Sequence, residues 1–305
     1  MILCIGEILA DMVGRKEGKV LHFDGFAGGA PFNVACGIAK LGGSVRFYGC
    51  VGKDEIGAFL RAYASGIENL QSRIDEAEDR NTTLAFVTLS DAGERSFSFF
   101  RKGTADYALS ADAALREMGE AQIVHIGSLM LSERSGRAFA RKVAAAARRA
   151  GKKVSFDVNF RDDIFRDRAE AIRIYSEWLE RADILKLSEE EAEMFFGAEQ
   201  EEALLRLSAG RTIFVTLGKR GARLYRDGAC AERGSIAVHA VDTNGAGDAF
   251  YAGALYSLDK GVTDAERILA FANVCGALTA TRHGAADAFP AAQEVQERLG
   301  AEDRA

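Results

Sequence analysis

The chain has 305 residues, 48% hydrophobic and 28% charged, with 45 acidic against 39 basic side chains and a net charge of −6. That is the balance of an ordinary globular protein, long enough for one large domain or two small ones. The slight acidity argues against nucleic acid or a membrane surface as a partner, and only 2 prolines leave no Pro-rich linker.

The amino-terminal run Met-Ile-Leu-Cys-Ile-Gly-Glu-Ile-Leu has no basic leader and is interrupted by Glu7 and Asp11. It reads as a first strand over 2–8, not as a signal peptide, and no apolar stretch of about 18 residues follows, so a cytoplasmic protein is expected. Five scattered cysteines (Cys4, Cys36, Cys50, Cys230, Cys275) show no CxxC or Cys/His metal spacing. Apolar neighbours around Cys4, Cys36 and Cys275 suggest buried, reduced thiols. The four histidines form no cluster.

Further apolar runs at 44–51, 123–126, 153–157, 184–187 and 213–216 predict buried strands. Helices are predicted over 31–41, 55–65, 133–150, 169–181, 189–196, 247–260, 264–282 and 291–299. Ser132 can cap the third of these, and Gly151 can end it. Such alternation implies a mostly parallel sheet covered on both faces, and right-handed crossovers make this a three-layer α/β/α fold. Two segments break the rhythm. Residues 19–27 and 82–102 resemble antiparallel ribbons, the second turning at 91–94 and setting Phe97 and Phe99 opposite Ser96 and Ser98. A small sheet from about 11–27 and 82–105 would stand off a single domain spanning 1–305, as a lid, a dimer surface or a peripheral ornament.

Several segments carry chemistry. Asp11 ends the predicted first strand, where an acid can accept hydrogen bonds from hydroxyls. Gly28-Gly29-Ala30-Pro31 is a good helix start. Asp157-Val158-Asn159-Phe160-Arg161 lies at the carboxyl end of a strand, where open α/β sheets bind ligands. Asn159 can both donate and accept there, and Arg161 can face an anion or pair with Asp162 or Asp163. Ser188 and Glu191 have the spacing of a capping box.

The most informative segment is Asp242-Thr-Asn-Gly245-Ala246-Gly247-Asp248. Its glycines permit a tight turn and close approach to a ligand, and the helix behind them presents N–H groups and a positive dipole end, an anion site. Asp248, in the first turn, is either a dipole-stabilised cap or a functional acid. A Walker A loop is absent. A dinucleotide fingerprint would need a third glycine and would follow the first strand, which disfavours a nicotinamide oxidoreductase.

These residues resemble the ribokinase-like (PfkB-type) carbohydrate kinases over nearly the whole chain, matching the family's carboxy-terminal motif from Asp242 to Phe250. The resemblance implies ATP-dependent phosphorylation of a sugar hydroxyl, with Asp248 as base and Gly245, Ala246 and Gly247 as the hole for the transferring phosphoryl group. It places Gly28, Gly29, Asn33, Asp11, Asn159, Arg161 and the lid's Arg101 at the sugar. Lys186, Ser188, Thr216, Gly218, Gly221 and Asn273 fall on the nucleotide side. Glu191 would tune a Mg²⁺ site through water. Asp242, Asn244, Arg282 and Gly284 would hold a monovalent cation such as K⁺, mostly by backbone carbonyls. Ser188 stands where the family commonly has Asn, as in fructokinase-like members, and the combination of motifs is most similar to fructokinases. A 2-keto-3-deoxygluconate kinase, another sugar kinase, or a catalytically silent sugar-binding protein on the same fold are the alternatives. The helix terminus should hold Asp248 ionised with a lowered pKa, a weak base that orients the hydroxyl and takes its proton late.

Overall fold

A computed structural model describes residues 1–89 and 95–302. The main sheet has nine strands: β1 (Ile2–Ile5), β4 (Val45–Gly52), β5 (Leu70–Ala77), β8 (Ile123–Ile126), β9 (Lys153–Asp157), β10 (Ile184–Ser188), β11 (Thr212–Thr216), β12 (Ala222–Arg226) and β13 (Ala229–Arg233). Their order is β13-β12-β11-β10-β9-β8-β1-β4-β5, parallel from β11 to β5, with β12 and β13 antiparallel at one edge. The parallel strands are apolar on both faces because helices cover both. Along β1 the residues alternate between two cores: Leu3 and Ile5 pack under one helix layer, Ile2 and Cys4 under the other.

The first layer comprises α3 (Ala111–Met118), α4 (Arg134–Arg149), α5 (Arg168–Arg181), α6 (Glu189–Phe196) and α7 (Gln200–Leu207). The second comprises α1 (Ala30–Lys40), α2 (Glu55–Ser65), α8 (Ala246–Asp259) and α9 (Ala265–Thr279), with α10 (Ala292–Glu302) against α9. The three-layer α/β/α architecture expected from the apolar runs is therefore the one observed. Strand order reverses at β1, which pairs with β4 on one side and β8 on the other, and ligands bind at the carboxyl ends of strands beside such a reversal.

A second sheet contains β2 (Leu9–Glu17), β3 (Val20–Gly28), β6 (Leu84–Leu89) and β7 (Arg95–Phe100) in the order β3-β2-β6-β7. The chain thus leaves the main sheet earlier than expected. β1 stops at Ile5, and Asp11 belongs to the small sheet instead of ending the first strand. Leu9, Ala85 and Leu129 form a separate apolar cluster joined by Phe99, which seats the small sheet on the main body. The turn expected at 91–94 lies outside the described residues.

Two helix boundaries also shift. Helix α4 begins without Ser132, whose hydroxyl donates to Leu129 O instead, and Glu133 takes the N-cap position. Helix α9 ends at Thr279, so Arg282 lies in the loop beyond it. Among the described residues no helix is long and apolar enough to cross a membrane. Cys4, Cys36, Cys50 and Cys275 are buried free thiols, and Cys230 is exposed.

Candidate functional site

Above the carboxyl ends of β1, β9 and β10, the start of α1, the start of α8 and the small sheet's Phe99 enclose a polar cavity of about 270 Å³. Asp11, Gly29, Asn33, Asn159, Arg161 and Asp248 line it, together with Glu7 and Lys186. Gly28 lies just outside the wall, with its α-carbon against the Asp11 carboxylate; any side chain there would collide with that carboxylate. Most of the expected sugar-side residues are thereby brought to one place.

The amino end of α8 forms one wall. Gly245 is its N-cap, in the left-handed region at φ 73°, packed against Ala285 and Phe289. An L side chain there would meet both strain and backbone. The Ala246 N–H closes onto Thr243 O at 3.3 Å. Asp248 follows in the first turn, and Asn33 Nδ2 donates to its Oδ2 at 2.8 Å. Beneath it, Lys186 Nζ donates to Asp157 Oδ1 and Oδ2 at 2.9 and 2.8 Å. These two residues are register partners on adjacent parallel strands, which is why they meet.

The Asp248 carboxyl departs from expectation. It keeps some surface in the cavity, but protein crowds its other sides. This desolvation, with the negative Asp157, raises it to about 6, against the pull of Lys186, Asn33 and Arg161. Burial and neighbouring charge outweigh the helix terminus that was expected to lower it. Lys186 keeps its proton: burial opposes the charge, but Asp157, Glu191 and Asp248 together hold its pKa above the ordinary value. Asp11 is pushed up to about 7 by burial and by Asp248.

Glu7 is a site residue that sequence reasoning missed. It is 1% exposed, and neither carboxyl oxygen has a hydrogen-bond partner. Burial pushes it up to about 8 against the pull of Arg101, with Asp106 and Asp248 adding to the rise. The folded protein therefore holds this proton more tightly than the unfolded chain, so Glu7 subtracts stability progressively as pH rises from the ordinary value of 4.5 toward about 8. Glu7→Gln keeps the shape and removes the titration. Thermal unfolding should show a higher midpoint for the variant near pH 8 and little change near pH 5. An equal gain at both would mean that the carboxyl is not held neutral.

A second cavity of about 600 Å³ opens on the other side of the α8 terminus. Thr216, Gly218, Gly221 and Asn273 line it, beside apolar Ile236, Val238 and Phe250. The Asn273 amide donates to Arg233 O and Gly234 O at 3.0 and 3.2 Å, holding β13's exit against α9. Thr243 and Gly247 border both cavities, so the two meet at the glycine turn.

Other expected residues lie elsewhere. Arg101 does not line the polar cavity. Its guanidinium is buried, paired with Asp106, donating to Leu129 O at 2.9 Å and standing over the Tyr107 ring. Its guanidinium is therefore committed to Asp106 and Leu129 in this structure. Ser188 lines neither cavity. Its hydroxyl accepts from Glu191 N at 3.2 Å, and Glu191 Oε2 accepts from Ser188 N at 2.7 Å, the full capping box. Glu191 Oε1 accepts from Phe160 N at 2.6 Å, so this carboxylate also pins the loop carrying Asn159 and Arg161. Lys186, expected on the nucleotide side, lines the polar cavity. The Asp242 carboxylate bridges two loops, accepting from Asn244 N at 2.8 Å and Gly284 N at 3.3 Å, whereas the Arg282 side chain turns away to Glu294. Among the described residues, no group of three or more His, Cys, Asp or Glu side chains could hold a metal ion alone.

The profile of the pfkB family carbohydrate kinases matches residues 1–292. The fructokinase of Escherichia coli is 36% identical over 304 residues, covering 96% of this chain and 97% of its own. A fructokinase from Xylella fastidiosa, solved with bound ATP, superposes with a TM-score of 0.89 at 33% identity, covering 100% of this chain and 99% of its own. A double mutant of the fructokinase from Vibrio cholerae O395, bound to fructose, ADP and potassium ion, superposes with a TM-score of 0.85 at 30% identity, covering 98% of this chain and 97% of its own. The chain belongs to the pfkB family of carbohydrate kinases.

Proposed function

We propose that the protein is an ATP-dependent fructokinase. The observation that carries this reading is the meeting of two cavities at the amino end of α8. The smaller is lined by acids and amides suited to hydroxyls, and the larger by apolar side chains and a glycine loop suited to a nucleotide. A sugar hydroxyl beside Asp248 attacks the γ-phosphorus. The new bond forms from the sugar oxygen, the bond to the bridging oxygen breaks, and ADP leaves with the electron pair. Asp248 receives the hydroxyl proton. The backbone amides of Gly245 and Gly247, beside an Ala246 N–H already spent on Thr243 O, and the Lys186 cation face the charge that gathers on the phosphoryl oxygens.

Mg²⁺ suits this donor set as an ion that arrives on the nucleotide and keeps several waters. Glu191 would reach it through water, because both its oxygens already accept backbone amides. The Asp242 carboxylate joins two loops by accepting from Asn244 N and Gly284 N, and beside it the backbone carbonyls of Asn244, Arg282 and Gly284 would hold a monovalent cation.

A coupled ADP-release assay over a panel of free sugars tests the reading. Fructose should be turned over with ATP, and activity should drop when K⁺ is replaced by a large organic cation. Turnover of 2-keto-3-deoxygluconate with none of fructose would reassign the substrate. Unchanged activity in the organic cation would remove the monovalent site.

A further inference from the structure

Helix α8 carries its chemistry in its first turn, but its polar hold on the sheet lies one turn further in, at Tyr251. This side chain is fully buried. Its hydroxyl lies 2.6 Å from Ser155 Oγ and 3.3 Å from the carbonyl oxygens of Phe156 and Ile184. Ser155 Oγ lies 3.1 Å from Nδ1 of His125, whose ring meets Tyr251 edge-on at 5.4 Å between centroids. Burial, and secondarily the Lys186 charge, pull the His125 ring down to about 3, so it is a neutral partner at any working pH. One helix is thereby tied to β8, β9 and β10 at a single point. The other buried α8 positions around it, such as Ala249, Phe250, Ala252 and Leu255, are apolar. A phenylalanine would fill the same space without needing hydrogen-bond partners, so simple packing does not account for the hydroxyl.

The geometry of strand and helix gives that hydroxyl a task. Side chains two apart on a strand share a face. Ser155 therefore shares a face with Asp157, and Ile184 with Lys186. Residues three apart on a helix lie on one side, so Tyr251 stands one turn behind Asp248. Two rows face each other: Tyr251 meets Ser155 and Ile184 deep in the core, while Asp248 lies in the field of the Asp157–Lys186 pair, whose ammonium lines the cavity.

We propose that Tyr251 is a positioning residue, whose hydroxyl, seated on Ser155 Oγ and the Phe156 and Ile184 carbonyls, sets the depth at which the first turn of α8 meets the Asp157–Lys186 pair. The inference rests on the reading of Asp248 as the base, but the seating of the helix can be measured without turnover.

Full-length Tyr251→Phe is compared with wild type. Its kcat should fall about 10- to 100-fold, with KM for sugar and ATP nearly unchanged, because misplacement acts on the reacting geometry and not on binding. The acid limb of kcat/KM, near 6 for Asp248, should move down by about half a unit, as water reaches a carboxyl that also faces Asp157, Lys186, Asn33, Arg161, Asp11 and Glu7. Hydrogen exchange of the 246–249 amides should quicken by about fivefold or more. Ser155→Ala should show the same pattern at smaller size, and it decides the matter if Tyr251→Phe fails to fold. Val143→Ala, buried in the opposite layer, supplies a loss of stability without either signature. If both site variants lose stability as Val143→Ala does, yet the acid limb and first-turn exchange match wild type, Tyr251 only packs and the proposal fails. Wild-type protein that phosphorylates no sugar would overturn the kinase reading instead, and the exchange result would still decide the seating of the helix.

Discussion

Replacing Asp248 by Asn should lower kcat by about 10²–10⁴-fold, the usual worth of a positioned general base, while nucleotide affinity stays within a few-fold of wild type. The amide keeps the shape and can still accept from Asn33, so the loss isolates proton acceptance. Direction of pH dependence follows from the raised carboxyl. If Asp248 is the base, it works as its ionised form, and kcat/KM for wild type should be level above about 6 and fall as pH drops through that value. In the variant the residual activity should lose this limb. Stability should move the other way. A buried carboxyl with a raised pKa disfavours the folded state at neutral pH, so Asp248→Asn should not lower the melting temperature and should raise it somewhat. Stopped-flow or coupled kinetics, a nucleotide titration and a thermal melt measure the three effects. Near-normal kcat would remove Asp248 from its role. A lost nucleotide affinity would mean that the residue holds the turn together instead of taking a proton.

The raised value also alters how the base is pictured. At an ordinary aspartate pKa the carboxylate would be always ready and weakly basic, and its part would be mainly to orient the hydroxyl. At about 6 it lies close to working pH, where the product of ionised fraction and basicity is larger. On the proposed reading, proton acceptance would carry a larger part than a lowered pKa implies.

What could be read from the sequence is what is local along the chain. The glycine turn, its acid and the helix behind them are contiguous, so seven residues carried the proposed anion site, the fold's strongest signal. The continuous apolar runs of β1, β4 and β8 to β11 announced a doubly covered sheet, since each residue there is buried whichever way it faces. Strand β5, Leu-Gln-Ser-Arg-Ile-Asp-Glu-Ala, escaped because an edge strand half in solvent carries polar residues on both sides. The surroundings of Arg101 escaped for a different reason. A one-dimensional pattern shows an arginine leaving a strand but not Asp106, which folds back within a short 3₁₀ turn, Ala105–Tyr107, and pairs with it. Glu7 left a faint trace, a lone acid inside an apolar strand run. What no spacing shows is that the chain bends after Ile5 and turns that acid into the cavity wall.

The Asp157–Lys186 pair is the clearest case of a site element created only by folding, and it supports the second large effect. The two residues are 29 positions apart and meet through the register of β9 and β10, with side chains only 4% and 9% exposed. Lys186→Met should destabilise the protein by roughly 3–5 kcal/mol, because Asp157 would be left as a buried charge without its partner. It should also lift the Asp248 acid limb above about 6, since Lys186 is the first of the groups holding that carboxyl down. Stability loss alone would not show a part in the reaction. The double variant Asp157→Leu with Lys186→Met separates the two roles. Replacing a buried ion pair by apolar side chains of similar volume is commonly neutral or stabilising, so the melting temperature should return close to wild type. Activity should not return with it. The Lys186 ammonium stands beside Gly247, where the two cavities meet, and no apolar side chain can face phosphoryl charge there. We expect kcat in the double variant to stay down by about 10²-fold or more, the range seen when one preorganised group facing developing negative charge is removed. Recovery of kcat together with the melting temperature would make the pair a structural clasp and leave the charge at the transferring phosphoryl to the glycine turn alone.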